Sequence, residues 1–325
     1  MSRWLSFNLS IAFLALPAGV ANAQPASFHG PLAGFVFNGT SKTVRPLLGI
    51  PGATHVESPI LTQVDLAAIA PGGKWALVVR AGHTSFISGL TELAPVESSL
   101  DGLIDAVDRV VWNRDGSFAV LSSPSKKQVQ RIQISKNQAT ADAPVDVSPF
   151  GRVTTVAIDP TGGQIAVGFE TSGLYLVADG QTPALLSPLE RPLAATFGTG
   201  GSLFVVDGAT QRILQFQSGA GMSEFASLAK PDGLALDPAG LAVSGDGRYL
   251  VLAESSTRSV FVYDINAQSL TDTIGLDFSP SRFERLSASP VFLLNGNDPK
   301  EWLLVLDASQ TPVVYFVPAG GEDRL

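Results

Sequence analysis

The chain has 325 residues, 45% of them hydrophobic and 15% charged, enough to bury a large core. Its formal net charge of −8 argues against a nucleic-acid partner, because phosphate binding needs a basic footprint. With no cysteine, disulfides, thiol chemistry and a lipoprotein anchor are excluded.

The N-terminus reads as a secretory signal peptide, residues 1–23. Arg3 gives a short positive region, and residues 9–16 (LSIAFLAL) are apolar but too short to span a bilayer. Pro17 and Gly19 break that run, and Ala21-Asn22-Ala23 fits a cleavage site before Gln24. No later apolar run is long enough to cross a membrane. The expected product is a periplasmic or extracellular chain of residues 24–325 with no membrane insertion.

From residue 35 onward one pattern recurs: a short apolar strand, a turn containing Gly, then a second strand. FVFNGTSKTVRPL (35–47) is echoed by LFVVDGATQRIL (203–214). LAAIAPGGKWALVVR (66–80), VVWNRDGSFAVLSS (110–123) and VAIDPTGGQIAVGFE (156–170) carry related hairpins. ATFGTGGSLFVVDG (195–208) and LAVSGDGRYLVLAE (241–254) follow, and PVFLLNGNDPKEWLLVLD (290–307) is a looser copy. Gly-Gly and Asp-Gly between apolar runs mark tight hairpins. The turn glycines Gly73, Gly116, Gly163, Gly201 and Gly247 stand 38 to 47 residues apart.

A period in the low forties with several short strands per unit is the mark of a β-propeller blade. The fold class is therefore all-β, with strands A to D running outward from the axis of each blade. Continuous apolar runs such as IAVGF and LFVVD are the B strands, buried on both faces. GLYLVA, RILQFQ and SVFVYD are C strands. Seven B strands fall near residues 35, 76, 118, 165, 204, 250 and 303, giving seven blades. A six-bladed ring with an N-terminal extension is the alternative. The first blade lacks a clear A strand and the last lacks a D strand. The N- and C-terminal strands are thus expected to close the ring, which removes exposed sheet edges. With no composition break or linker, residues 24–325 read as a single domain, and few windows show the apolar spacing of a helix.

The repeat resembles the superfamily of YVTN, NHL and WD40-like propellers over essentially the whole mature chain. KPDGLALDPAG (230–240) is similar to the P-x-G-[IL]-A-[VL]-D segment of NHL repeats and gluconolactonase-type propellers, whereas no Trp-Asp dipeptide ends a blade. The resemblance implies architecture more than activity, since propellers host lyases, lactonases, dehydrogenases and docking scaffolds. In gluconolactonase-type propellers a Glu, an Asn and an Asp hold the metal. The resemblance carries over only Asp232, where an Asn is often found.

B–C turns and D–A loops share one face of a propeller. Asn38, Arg80, Ser122, Glu170, Asp207, Glu254 and Asp307 stand at the ends of the B strands. The carboxylates Glu170, Asp207, Glu254 and Asp307, with Asp232, are candidate Ca²⁺ ligands. The competing reading is turn chemistry, in which the side chain accepts from the backbone just ahead. Arg109, Arg152, Arg191, Arg282 and Arg285 lie in D–A loops or at the start of A strands. With Arg80 and His83 they make a candidate ligand or partner face, or else pair with acids. His29, His55 and His83 show no metal-ligand spacing. Ser123-Pro124-Ser125-Lys126 matches S-x-x-K without its companion elements. The sequence thus predicts a monomeric, exported binding or interaction module with no catalytic motif and an unidentified protein or small-molecule partner. The alternative is a Ca²⁺-dependent hydrolase or lactonase of the gluconolactonase type.

Overall fold

A computed structural model describes residues 30–318 except 51, 93, 179–180, 229–234, 288 and 296–301. The signal segment, His29 and Asp232 lie outside the described residues. The chain forms seven separate antiparallel sheets, the blades of a seven-bladed propeller. Among the described residues there is no α-helix, only two three-residue 3₁₀ turns.

Blade 1 holds three strands, Leu32–Asn38, Thr43–Ile50 and Ala53–Val56. Blades 2 to 6 follow the A-to-D meander. Blade 5 is typical: Pro192–Phe197, Leu203–Asp207, Arg212–Gln217 and Gly221–Ser227 pair in chain order. The echo in the sequence is explained by register. Asn38 pairs with Thr43 and Asp207 with Arg212, so both segments are B–C hairpins with a four-residue turn.

The apolar residues do not form one central core. They divide into seven clusters, one between each pair of neighbouring blades. Phe204, Val206 and Ile213 of blade 5 pack with Leu241, Leu250 and Leu252 of blade 6. Leu203, Val205 and Leu214 of the same blade face Ala157, Ala166 and Leu174 of blade 4. Successive side chains of a strand point to opposite faces. Each B strand therefore supplies both of its neighbours, which is why it is apolar without alternation.

The A–B turns correct one detail of the repeat. Gly73, Gly116, Gly201 and Gly247 all have φ between +70° and +80°. In blade 4 the matching residue is Gly162 (φ +75°), not Gly163. Its N–H donates to Asp159 O, as Gly116 donates to Asn113 O and Gly247 to Ser244 O. A Cβ on Gly162 would stand 2.3 Å from the Phe118 ring of blade 3. Turn conformation and close blade packing both require this glycine.

The ring closes between blades 7 and 1. Val36 and Leu47 pack with Leu293, Val305 and Val317. Among the described residues the two ends share no hydrogen-bonded sheet, so closure here is by side-chain packing between whole blades. Blade 7 is a complete meander: Glu284–Arg285, Val291–Leu293, Leu303–Asp307 and Val313–Val317 pair in chain order as A, B, C and D. This corrects the sequence reading, which placed the B strand near residue 303 and left the last blade without a D strand. Pro290, between the A and B strands, packs on Gly245 in the A–B turn of blade 6, and the A strand lines the axis.

Gly162→Ala is expected to destabilise the protein by about 1–3 kcal/mol through φ strain and the Phe118 contact. Gly163→Ala, whose Cβ would meet only Thr161 Oγ1 at 3.4 Å, should stay within about 0.5 kcal/mol of wild type. Urea unfolding of the two variants checks this; equal losses would contradict the assignment.

Candidate functional site

The rim formed by the B–C turns is built by local hydrogen bonding. Asn38 Oδ1 accepts from the N–H groups of Thr40 and Ser41, each at 2.9 Å. Asp207 accepts from Arg191 N (3.2 Å), Thr210 N (3.2 Å) and Thr210 Oγ1 (2.6 Å). Glu254 accepts from Asp237 N (2.9 Å), Ser256 Oγ (2.8 Å), Thr257 N (2.7 Å) and Thr257 Oγ1 (2.6 Å). Asp307 does not belong to this rim as the sequence suggested: it ends the C strand of blade 7 and accepts from Ser309 N at 2.9 Å in the C–D turn, at the opposite end of the blade. The B–C turns of blades 1, 3, 5 and 6 share a further feature. Lys42, Lys127, Gln211 and Arg258, the residues just before the C strand, all have φ of +52° to +54°. In blades 1, 5 and 6 a side-chain acceptor at the first position orders the turn, whereas in blade 3 Lys127 N donates to Pro124 O.

Glu170 differs from the other acids. It forms a two-point ion pair with Arg152, at 3.0 Å for each contact, and the pair is exposed. Bonding to Arg152 holds the Glu170 carboxyl below its ordinary range. Among the described residues no three of His, Asp and Glu come together as a group able to hold a metal. Glu170, Asp207, Glu254 and Asp307 do not fit a shared Ca²⁺ cage, because their oxygens face their own turns or Arg152.

The other candidates separate as well. Arg80 Nη1 donates to Thr62 O at 2.5 Å, and its Nε lies 3.3 Å from both Glu97 oxygens. His83 is exposed, 3.4 Å from Asp105, and His55 is exposed, 3.1 Å from Glu57. Ser123 of the S-x-x-K match donates to the carbonyls of Asp105 and Ala106, closing a loop. Arg191 contributes its backbone N–H to Asp207.

Arg109, Arg282 and Arg285 do converge, on the axis. The A strands enclose a channel of about 850 Å³ with walls of Ala68, Val111, Ala157, Ala195 and their neighbours. Asp108, Arg109, Arg114, Arg282, Glu284 and Arg285 are its charged lining residues. Arg109 Nη1 donates to Thr154 O at 2.6 Å. Arg282 Nη1 donates to Phe37 O at 2.7 Å, lies 3.5 Å from Glu284 Oε2, and its guanidinium covers the Phe37 ring. The Arg285 guanidinium lies 5.0 Å from the Phe292 ring centroid. Arg114 sits on the A–B turn of blade 3, at the end of the channel opposite the B–C turns. Its Nη2 donates to Gly245 O in the A–B turn of blade 6, three blades away, so the side chain reaches across the channel mouth.

The channel shifts these groups. Burial pushes the Glu284 carboxyl up to about 7, against the opposing effect of Arg282. Burial also raises Asp108, which Arg109 opposes. Burial, then repulsion from Arg114, brings Arg285 down to about 10. Sequence reasoning missed Asp108, Arg114 and Glu284. The signal for Glu284 was residues 282–285, RFER, two arginines and an acid around an aromatic in an otherwise apolar repeat. Arg114 gave none, since its turn belongs to the opposite face.

Comparison with known proteins shows the fold and no closer relationship. No protein-family model matches the chain, and no curated protein matches it. Solved structures do match. A functionally unknown protein from Desulfotomaculum acetoxidans is 15% identical, with a TM-score of 0.61 over 88% of this chain and 98% of that one. A candidate 6-phosphogluconolactonase from Bacteroides uniformis is 12% identical, with a TM-score of 0.62 over 89% and 96%. A catalytically inactive virginiamycin B lyase from Staphylococcus aureus, solved with quinupristin, is 14% identical, with a TM-score of 0.54 over 78% and 83%. These likenesses show the β-propeller fold. They join proteins of different activities, so the fold alone selects none of them.

Two glutamates predict opposite pH effects. Burial alone would raise Glu254, but Thr257, Asp237 and Ser256 donate to it and bring it down to about 2, from an ordinary 4.5. Its stabilisation is full above about pH 4.5 and is lost as the pH falls toward 2. Glu254→Gln should therefore cost about 1–3 kcal/mol at pH 7, and the difference should close near pH 2. Glu284, raised to about 7, favours the fold when protonated and costs stability as the pH rises from 4.5 through 7. Glu284→Gln should be more stable than wild type at pH 8 and equal to it at pH 4.5. Denaturant midpoints across pH check both signs.

Proposed function

We propose that this chain is an exported binding module that admits a small-molecule ligand to the axial channel. The contrast between rim and axis carries this reading. At the rim the carboxylates serve their own turns. At the axis a cavity of about 850 Å³ combines apolar walls with a few charged groups, the usual make-up of a ligand pocket. Its volume suits a small organic molecule rather than a folded partner. Residues 1–23, with their charged, apolar and A-x-A parts in order, support export and cleavage before Gln24. The lactonase reading has less behind it, because the described carboxylates do not converge.

Thermal unfolding of residues 24–325 separates the two readings. The midpoint should not respond to EDTA or Ca²⁺. A saturable rise with Ca²⁺ that EDTA reverses would overturn the binding-only reading, since a ligand of the native state must raise the midpoint by mass action. The uncharged dye N-phenyl-1-naphthylamine should bind with enhanced fluorescence, and the channel-filling Ala195→Trp should weaken it roughly tenfold or more. Binding unaffected by Ala195→Trp would place the dye elsewhere and remove the channel as the site.

A further inference from the structure

Blade 1 differs from the other six at the axis. Blades 2 to 7 each present an A strand to the channel, from Leu66–Ile69 round to Glu284–Arg285. Among the described residues blade 1 shows no A strand, and its B strand, Leu32–Asn38, is laddered to the C strand Thr43–Ile50.

Hydrogen bonding shows which main-chain groups of that B strand turn to the axis. Pro46, opposite Phe35, has no N–H and gives its carbonyl to Glu57 N, so the main chain of Phe35 faces the other way, toward the channel. Phe37, two residues on, faces the same way, and its carbonyl accepts from Arg282 Nη1 at 2.7 Å. Phe37 is the last but one residue of its B strand, as Val79 and Ser122 are of theirs in blades 2 and 3. Val79 O and Ser122 O accept from Asp65 N (2.8 Å) and Asp108 N (3.1 Å), the residues just before the A strand. Arg282 therefore stands where the chain leading into an A strand stands in those blades.

The chain before Leu32 has the length and the residues of an A strand. In blade 2 Leu66 pairs with Val79 and Ala68 with Leu77, thirteen and nine positions apart; blade 3 keeps both spacings in Arg109 with Ser122 and Val111 with Val120. Counted back from Phe37 and Phe35, these spacings select Gln24 and Ala26. Pro25 then falls level with Val36, where an A-strand N–H would point to the axis and make no ladder bond, an edge position that a proline tolerates. A shift of one residue either way would set Pro25 opposite Phe35 or Phe37 and remove a ladder bond. Ala26 takes the place of Ala68, Val111, Ala157 and Ala242, which line the channel in blades 2, 3, 4 and 6. Gln24 is also the first residue after the cleavage site marked by Ala21-Asn22-Ala23.

Resting on the export reading above, we infer that the inner edge of blade 1 is the docking site of this chain's own mature N-terminus. Residues 24–27, freed by removal of residues 1–23, add to Leu32–Asn38 as the seventh A strand, and residues 28–31 return the chain to Leu32. Processing then does more than release the protein. It trims the strand at the point where Arg282 takes over the bond to Phe37 O. Residues 1–23, if retained, would have to pass the Arg282 side chain at the mouth of the channel.

The test uses residues 24–325 released from a cleavable fusion with Gln24 first, so it does not depend on export. Amide exchange followed by NMR should show the Ala26 N–H exchanging about a hundredfold or more slower than in an unstructured chain. Ala26→Pro and the shortened chain 30–325 should each lower the thermal midpoint by roughly 3 °C or more and speed exchange at Phe37. Pro25→Ala, at the position facing the axis, should move the midpoint by less than about 2 °C. Exchange at Ala26 as fast as in a free chain overturns the docked strand, and that measurement needs no variant to fold. Equal losses for Ala26→Pro and Pro25→Ala overturn the register. The intact mass of the exported protein tests the export reading separately. A product that begins elsewhere than Gln24 overturns that cleavage and the role given to processing, while a protected Ala26 keeps the docking edge.

Discussion

The B strand of each blade has no solvent face, and the ring depends on that. Its even and odd side chains go to different neighbours, so every sheet is one wall of two hydrophobic cores. A single blade cannot bury both walls. The same argument applies at the seam, where the cluster of Val36, Leu47, Leu293 and Val305 is one more copy of the contact made six times elsewhere. Seven equivalent cores let the termini meet without a shared ladder, because the packing area that holds any two blades also holds the first to the last. Truncating one large side chain in such a core, such as the fully buried Phe204, removes the lost burial energy and leaves a cavity, about 3–5 kcal/mol together.

The fold was legible because this constraint writes itself into composition. Strands buried on both faces read as continuous apolar runs, and the turns between them need positive φ. The B strands of blades 1 to 6 and most A–B turns were therefore visible at a regular spacing without any alignment, whereas in blade 7 the C strand was taken for the B strand. The error at Gly163 is instructive in the same terms. Adjacent glycines satisfy a turn signal equally well on paper, and only the Asp159–Gly162 hydrogen bond with the Phe118 contact tells them apart. The outer strands were less legible. In Gly221–Ser227 and Ser269–Gly275 most residues are exposed, so little apolar pattern is imposed on them.

The site was legible only in part, because the same residue types serve turns and ligands. Asp207 and Glu254 sit at the ends of B strands, as the repeat required, but position does not reveal where their oxygens point. The structure turns them back onto N–H and O–H groups two or three residues ahead. Their burial would be costly without those donors. The arginines carried the opposite ambiguity. Arg80 and Arg152 find acids on the surface, whereas Arg282 and Arg285, written in the same kind of loop, enter the axis. The difference lies in where the loop goes. In blade 7 Arg285 stands in the A strand itself and Arg282 just before it, whereas the loose hairpin of residues 290–307 led the sequence reading to place that strand one position too late.

The A strand of blade 7 and its flanking residues, 282–286, join two roles in one segment. Phe283 packs where a Cβ on Gly240 would be, seating the segment against blade 6. Leu286 belongs to the core between blades 7 and 1, and its carbonyl stands where a Cβ on Gly34 would come within 2.4 Å. Arg282 reaches Phe37 O, across 245 positions of sequence. The segment therefore ties blades 6, 7 and 1 together at the seam while placing Arg282, Glu284 and Arg285 in the channel. A buried charge is expensive, and it is retained only where its partners are fixed. Here the packing that closes the ring fixes them. The chemistry of the channel follows from the way this propeller joins its ends, since the residues that charge the axis are held in place by the contacts that complete the circle.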